Sequence, residues 1–361
     1  MSTPTPPYPE FTPEVLKQPA NYGVLKQLEG TWVNYNPDNN KTGWGLHTTC
    51  LPSPGTNSET LPGKFHFLCE DYTEELTFTL VDGGVRNRGG ANEQFCGAVK
   101  YNQSIQRVSD GVGIHEENGM YLWLNQMYNH PADNESIETD IGYPELASGA
   151  GFNGPNFIPF YSISRSGTIP HGSTILLTGQ DKTVDGKPEF PYGIAAWDPE
   201  FLAISNSMGL AGTKEDGPIN LDEPAPDWVH DKSLPAVDPS GNKTYTQRIL
   251  ADEHYPYSVR PDLRLRDAIE NQCIKSHTLI TLSSKHDGGP QGGILNTPFV
   301  QRFTPVTEIN FRMWIETVIE DGVEILQLQY EQIMYFEFQF GTDGGTTRWP
   351  HIQINTLRKK A

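Results

Sequence analysis

From Leu328 onward the chain places Leu328, Tyr330, Gln332, Met334, Phe336, Phe338 and Phe340 on one parity, with Gln329, Glu331, Glu337 and Gln339 largely on the other. A period of two sustained over that length fits an extended strand with one face in an apolar interior, and no helix can hold it. Shorter stretches repeat the pattern. Leu76, Phe78 and Leu80 alternate with Thr77 and Thr79, and Phe311, Met313 and Ile315 alternate with Arg312, Trp314 and Glu316. Segments 64–68, 120–124, 173–178, 277–282 and 349–358 also read as strands. Asn118-Gly119 predicts a hairpin turn before 120–124, and Asp82-Gly83-Gly84 and Asp321-Gly322 mark further turns.

Helices have little room. Gly 35 and Pro 29 make up about 18% of the 361 residues, against an average of about 12%, which argues against a bundle or coiled coil. The best helical pattern is 261–275, where Asp262 follows Pro261 and Leu265, Ile269 and Cys273 recur every four residues. Residues 14–28 can carry one or two turns, interrupted at Pro19 and Gly23. Strand blocks at both ends of the chain flank an irregular middle. The expectation is a mainly β protein: an antiparallel up-and-down β-barrel of calycin type, about 10 strands, with long irregular insertions and one or two short helices. Closure of such a meander removes its exposed edges. Residues 1–13 form a Pro-rich tail, and 14–361 form a single expanded barrel domain with an insertion at about 129–275.

The charge balance excludes some partners. Lys+Arg 26 against Asp+Glu 45 gives −19, so the chain lacks the basic surface that nucleic acid or an anionic membrane requires. The excess acidity serves solubility, and part of it is concentrated at 213–241, a Pro-rich stretch that reads as a solvated surface excursion. No stretch of 18 apolar residues is present, and the start of the chain has neither a basic n-region nor an apolar h-region, so a cytoplasmic protein is expected. Cys50, Cys69, Cys96 and Cys273 form no C-x-x-C pair, which leaves a zinc ribbon, a thioredoxin motif and covalent haem attachment unsupported. A nucleophile elbow, a phosphate-binding loop and a His-Glu-x-x-His helix are all absent.

Two of the ten histidines stand out. His351 follows Pro350, which donates no backbone hydrogen bond, at the start of the last strand. It shares a face with Trp349, Gln353, Asn355 and Leu357, while Ile352 and Ile354 take the other. A histidine at a barrel mouth can turn one nitrogen inward to a metal. His115 lies in Ile114-His115-Glu116-Glu117-Asn118-Gly119.

Several segments, in order, resemble the nitrobindin-type haem-binding β-barrels of the lipocalin and fatty-acid-binding-like group. They are Leu28-Glu29-Gly30-Thr31-Trp32, Phe65-His66-Phe67 through Tyr72-Thr73-Glu74-Glu75-Leu76-Thr77-Phe78, Ile114 through Tyr121, Asp321-Gly322 followed by 326–335, and Pro350-His351-Ile352 ending in Leu357-Arg358. The resemblance covers about 28–125 and 307–358. The family's Gly-x-Gly and Tyr-Pro-Thr-Ile run after the first Trp is replaced here by Val33-Asn34-Tyr35-Asn36-Pro37. The resemblance implies haem b as cofactor, His351 as the proximal iron ligand, and Thr31 and Trp32 among the cofactor-binding residues. The sixth iron position would be open to NO, peroxynitrite or peroxide, as in a peroxynitrite isomerase or a peroxidase-like protein. His115, His47 and His171 are then the candidates for distal acid–base work. Two alternatives stand beside this: a haem-free barrel for an apolar small molecule, and a barrel-based enzyme whose site uses the insertion. In each case the partner is a small molecule, and a homodimer is compatible with the sequence.

Overall fold

The structure is a computed structural model that describes residues 20–35, 44–52, 65–83, 85–87, 92–124, 127–129, 138–139, 162–190, 252–258, 260–285, 292–339 and 346–360. The described strands are β1 (Gly30–Asn34), β2 (Gly45–Pro52), β3 (Phe65–Leu80), β4 (Val85–Asn87), β5 (Asn92–Arg107), β6 (Gly113–Trp123), β7 (Met127–Asn129) and β8 (Glu138–Thr139). After them come β9 (Ile163–Ile169), β10 (Ser173–Asp185), β11 (Cys273–Ser283), β12 (Gly293–Asn296), β13 (Val306–Glu320), β14 (Val323–Gln339) and β15 (Thr346–Lys359). A 3₁₀ turn, Gly23–Leu28, precedes β1, and two α-helices follow later: α1 (Pro261–Ile269) before β11, and α2 (Pro298–Phe303) after β12.

The strands close on themselves. The order β3-β2-β15-β14-β13-β11-β10-β9-β6-β5 returns to β3, with every neighbouring pair antiparallel, which gives the expected ten-position barrel. One position is filled by two strands end to end. β1 pairs with β3 at 75–78 and with β15 at 357–359, and β2 continues the same line against β3 at 65–72 and β15 at 351–354. The break is held by Asn34. Its side-chain amide donates to the Tyr72 carbonyl (3.0 Å) and to Asn355 Oδ1 (3.2 Å), and its Oδ1 accepts from the Glu74 backbone N–H (2.5 Å).

Two apolar cores result. Inside the barrel Trp32, Phe78, Tyr121, Phe311, Leu328 and Tyr330 are almost wholly buried. Outside it, Leu46, Trp314, Ile333, Ile352 and Ile354 are covered by Leu265 and Ile269 of α1 and by Phe190. This wall is therefore apolar on both faces, which explains why Trp314, Ile352 and Ile354 sit on the parity opposite to the interior residues. At roughly 1.5–3 kcal/mol per buried side chain, each core is a major source of stability.

Three sequence expectations change. Asn118-Gly119 is not a turn, because β6 runs straight through it. The glycine is required by packing: a Cβ on Gly119 would overlap the Ser166 carbonyl and lie 2.7 Å from the Tyr101 hydroxyl. The turn before β6 is instead at 108–112, where Gly111 has φ of 71°. The helix predicted at 261–275 stops at Ile269, since Cys273 and Ile274 already pair with β13. Cys273, the last position of the four-residue rhythm, opens β11 opposite Ile319. Finally, β9 and β10 belong to the barrel, so the stretch from about 129 to 275 is two excursions, one before β9 and one after β10, rather than a single insertion. The acidic stretch 213–241, the Pro-rich tail and residues 14–19 lie outside the described residues. Among the described residues no helix is long and apolar enough to cross a membrane.

Candidate functional site

The two ends of the barrel differ in chemistry. One end is plugged by the 3₁₀ turn, whose Leu25 and Leu28 are fully buried. The Tyr22 hydroxyl donates to the Val81 carbonyl (2.5 Å), and Trp32 Nε1 donates to the Leu28 carbonyl (2.6 Å). By strand register the connections β2–β3, β5–β6, β9–β10 and β14–β15 all lie at the other end. There four histidines gather. His351 on β15 stands opposite Thr49 of β2, and His47 opposite Gln353. The His47 and His351 rings are 4.9 Å apart, and Phe336 lies 5.6 Å from His351 on its other neighbour strand. His115 at the start of β6 and His171 in the β9–β10 turn form a second ring pair, 5.5 Å apart.

Below these rings the interior carries polar groups that satisfy one another. Glu74 accepts from Gln103 (2.6 Å), Tyr330 (2.7 Å) and Asn355 (2.7 Å). The Tyr72 and Tyr330 hydroxyls are 2.7 Å apart, and Tyr72 also donates to the Ile354 carbonyl (2.9 Å). Glu117 accepts from Arg165 (2.7 Å) and from the Tyr101 hydroxyl, and pairs with His115 Nε2 (3.3 Å). Arg165 also donates to Gln332 (2.9 Å), and its guanidinium lies 4.5 Å over the Phe311 ring. Burial works against ionisation of Glu117, but Arg165, His115 and Tyr101 together hold its carboxyl down at about 2, so it is an anion paired with a cation. Burial raises Glu74 above the usual carboxylate range despite its three donors.

The histidine end breaks this pattern of saturation. His47 Nδ1, Thr49 Oγ1 and His351 Nε2 are buried and have no hydrogen-bond partner. They occupy adjoining positions on β2 and β15. Buried polar groups in folded proteins are nearly always bonded, and of the unpartnered ones among the described residues these three adjoin, whereas Trp123 Nε1, Trp314 Nε1, Glu316 Oε1 and Gln329 Oε1 lie elsewhere. Burial, reinforced by the neighbouring histidines, pushes His351 well below the ordinary imidazole range. Burial also brings His47 to about 4, aided by the Arg107 and His115 charges. Both rings are therefore neutral near pH 7 and keep a lone pair free.

Of the residues singled out in the sequence, the fold brings His351, His47, His115 and His171 to one end. It does not bring Thr31 and Trp32 there. β1 meets β15 at Leu357–Lys359, so Trp32 lies roughly 25 Å along the strand from His351. Thr31 faces the outside, where its hydroxyl meets that of Thr77 (3.0 Å). Thr49, Glu74, Glu117, Arg165 and Gln353 were not singled out in the sequence. The available signal was parity: Glu74 shares its face with Tyr72, Leu76 and Phe78, and a charge on an inward parity marks an interior polar site.

No protein-family model matches the chain, and no curated protein matches it. Among matching solved structures is the crystal structure of Rv2717c from M. tuberculosis, with 12% identity and a TM-score of 0.32, covering 94% of this chain and 100% of that one.

Proposed function

We propose that the histidine end of the barrel holds haem b through His351, and that the haem iron would bind a small ligand such as NO, peroxynitrite or peroxide. The observation that carries this is the unpartnered, buried Nε2 of a neutral His351. A neutral imidazole with a free lone pair is what an iron ligand requires. Among the described residues these histidines do not form a cluster of three metal donors. The arrangement thus suits a metal that brings its own equatorial ligands. Haem would supply the iron and the site at which the small ligand binds.

This chain's own residues do the rest. Phe336 and His47 flank the His351 ring and fix its plane. Pro350 and the pairing of His351 with Thr49 and Met334 fix its backbone. His115 Nε2 faces Glu117, which is also paired with Arg165. The saturated layer below, with Tyr330 and Trp32 fully packed, leaves the deep interior closed, so a ligand of either kind would have to sit at the histidine end.

The test is titration of the full chain with haemin, followed by absorption. A saturable Soret band that is lost or shifted in His351→Ala supports the proposal. No band, or a band unchanged in His351→Ala, refutes it. Native mass spectrometry of purified protein that shows a lipid-sized adduct without iron would instead favour the haem-free barrel.

A further inference from the structure

Outside the barrel, a second set of chemistry-bearing side chains converges where the chain returns from the excursion after β10. Cys69 on β3 points outward, beneath the segment 252–258 that leads into α1. That segment is held on the wall by the Thr48 hydroxyl, which donates to the Ser258 carbonyl (3.4 Å). It brings His254 and Asp252 onto Cys69, so that one donor atom from each lies within 4.8 Å of the others. Among the described residues this is the one group of three such donors. Asp252 Oδ1 holds His254 Nδ1 at 2.8 Å and also accepts the His254 backbone N–H (2.9 Å). Asp71, two residues along β3 from Cys69, lies 3.5 Å from His254 Nε2 and is paired with Arg264 of α1.

We propose that Cys69, His254 and Asp252 bind a divalent cation of the zinc class, which clips the 252–258 segment to the outer wall of the barrel. A thiolate, an imidazole and a carboxylate form a mixed soft and borderline donor set, which selects zinc over calcium or magnesium. Cys69 is buried and the His254 and Asp252 side chains are 14% and 20% exposed, so the site is largely closed to solvent. Binding releases the Cys69 thiol proton and the proton at the His254 nitrogen that takes the metal, and the metal takes their place. The site is independent of the haem reading, because it lies on the other face of the barrel wall.

The experiment is titration of the chelator-treated, reduced full chain with cobalt(II) and then zinc. Cobalt should give one equivalent of thiolate-to-metal charge-transfer absorption, displaced by zinc, and zinc should raise the unfolding midpoint. Cys69→Ser and His254→Asn should each remove the band, and Asp252→Asn, which loses a charged ligand, should weaken binding by about 100-fold or more. Cys273→Ser and His351→Ala should leave it unchanged. Far-ultraviolet circular dichroism checks that each variant is folded, and the two single-ligand variants act as independent tests. No charge-transfer band in the wild type, or a band that survives in folded Cys69→Ser or His254→Asn, overturns the proposal.

Discussion

Glu316 offers a direct measurement of what the outer wall costs. Its side chain is fully buried on the outward face of β13. Gln327 Nε2 donates to one carboxyl oxygen (2.6 Å), and the other has no partner. Burial pushes the carboxyl from 4.5 up to about 8, against the weaker opposing effects of the Gln327 bond and the Arg358 charge. Between those two values the folded protein keeps a proton that the unfolded chain has lost. Stability from this group is therefore whole below about 4.5, declines as pH rises, and is fully lost above about 8. At 1.36 kcal/mol per pH unit the full effect is on the order of 5 kcal/mol, of which about 4 kcal/mol falls between pH 5 and pH 9. Glu316→Gln keeps the shape and the Gln327 contact but cannot ionise. Urea unfolding of both proteins at pH 5 and pH 9 should show the variant gaining on the wild type by a few kcal/mol as pH rises. Equal pH dependence of the two curves would refute the burial argument, because the carboxyl would then be ionising without penalty.

Two further outcomes follow from the interior. Glu117→Gln removes the anion that faces the buried Arg165 guanidinium and should destabilise the barrel by about 3–5 kcal/mol, read from the urea midpoint. The effect should persist in high salt, since the pair is shielded from solvent. Gly119→Ala places a Cβ against the Ser166 carbonyl and the Tyr101 hydroxyl and should cost about 3 kcal/mol or more. Near-ultraviolet circular dichroism would report the displaced Tyr101 and Tyr121 rings, which are 5.2 Å apart, and an unchanged spectrum with unchanged stability would contradict the packing account.

The barrel was legible in the sequence because period-two alternation survives in β3, β13, β14 and β15, the strands with a strict inward face. Legibility failed where two demands fell on one residue. Gly119 reads as a turn residue because Asn-Gly is a turn dipeptide, yet it is glycine because Tyr101 and the β9 backbone approach too closely for any side chain. Ile352, Ile354 and Trp314 blur the alternation because α1 covers the outside of the wall. β9 was hidden by position, inside a stretch dominated by glycine, proline and charge, whereas 173–178 reads as a strand and forms the first part of β10. For the site, the order of motifs pointed to His351, and the fold places it with His47, His115 and His171. Thr31 and Trp32 belong to the same motif set but sit at the plugged end, since conformity to a sequence motif can serve closure of a barrel as readily as binding within it.

The polar interior also bears on the ligand site proposed at one end. Glu74, Glu117 and Arg165 each have several fixed partners, drawn from β3, β5, β6, β9, β14 and β15. Moving any one of these strands would break a buried hydrogen bond, and an unsatisfied buried group costs about 1–3 kcal/mol. The layer therefore locks the register of six strands just beneath the histidines. Register in turn decides which side chains face inward, because a slip of one residue would send His351 and Gln353 outward and bring Ile352 and Ile354 in. The saturated layer thus preorganises the unsaturated one: His47, Thr49 and His351 can remain unpaired in the folded protein because the network below holds the frame that carries them. A ligand that meets those three atoms then gains contacts without having to order the strands that present them.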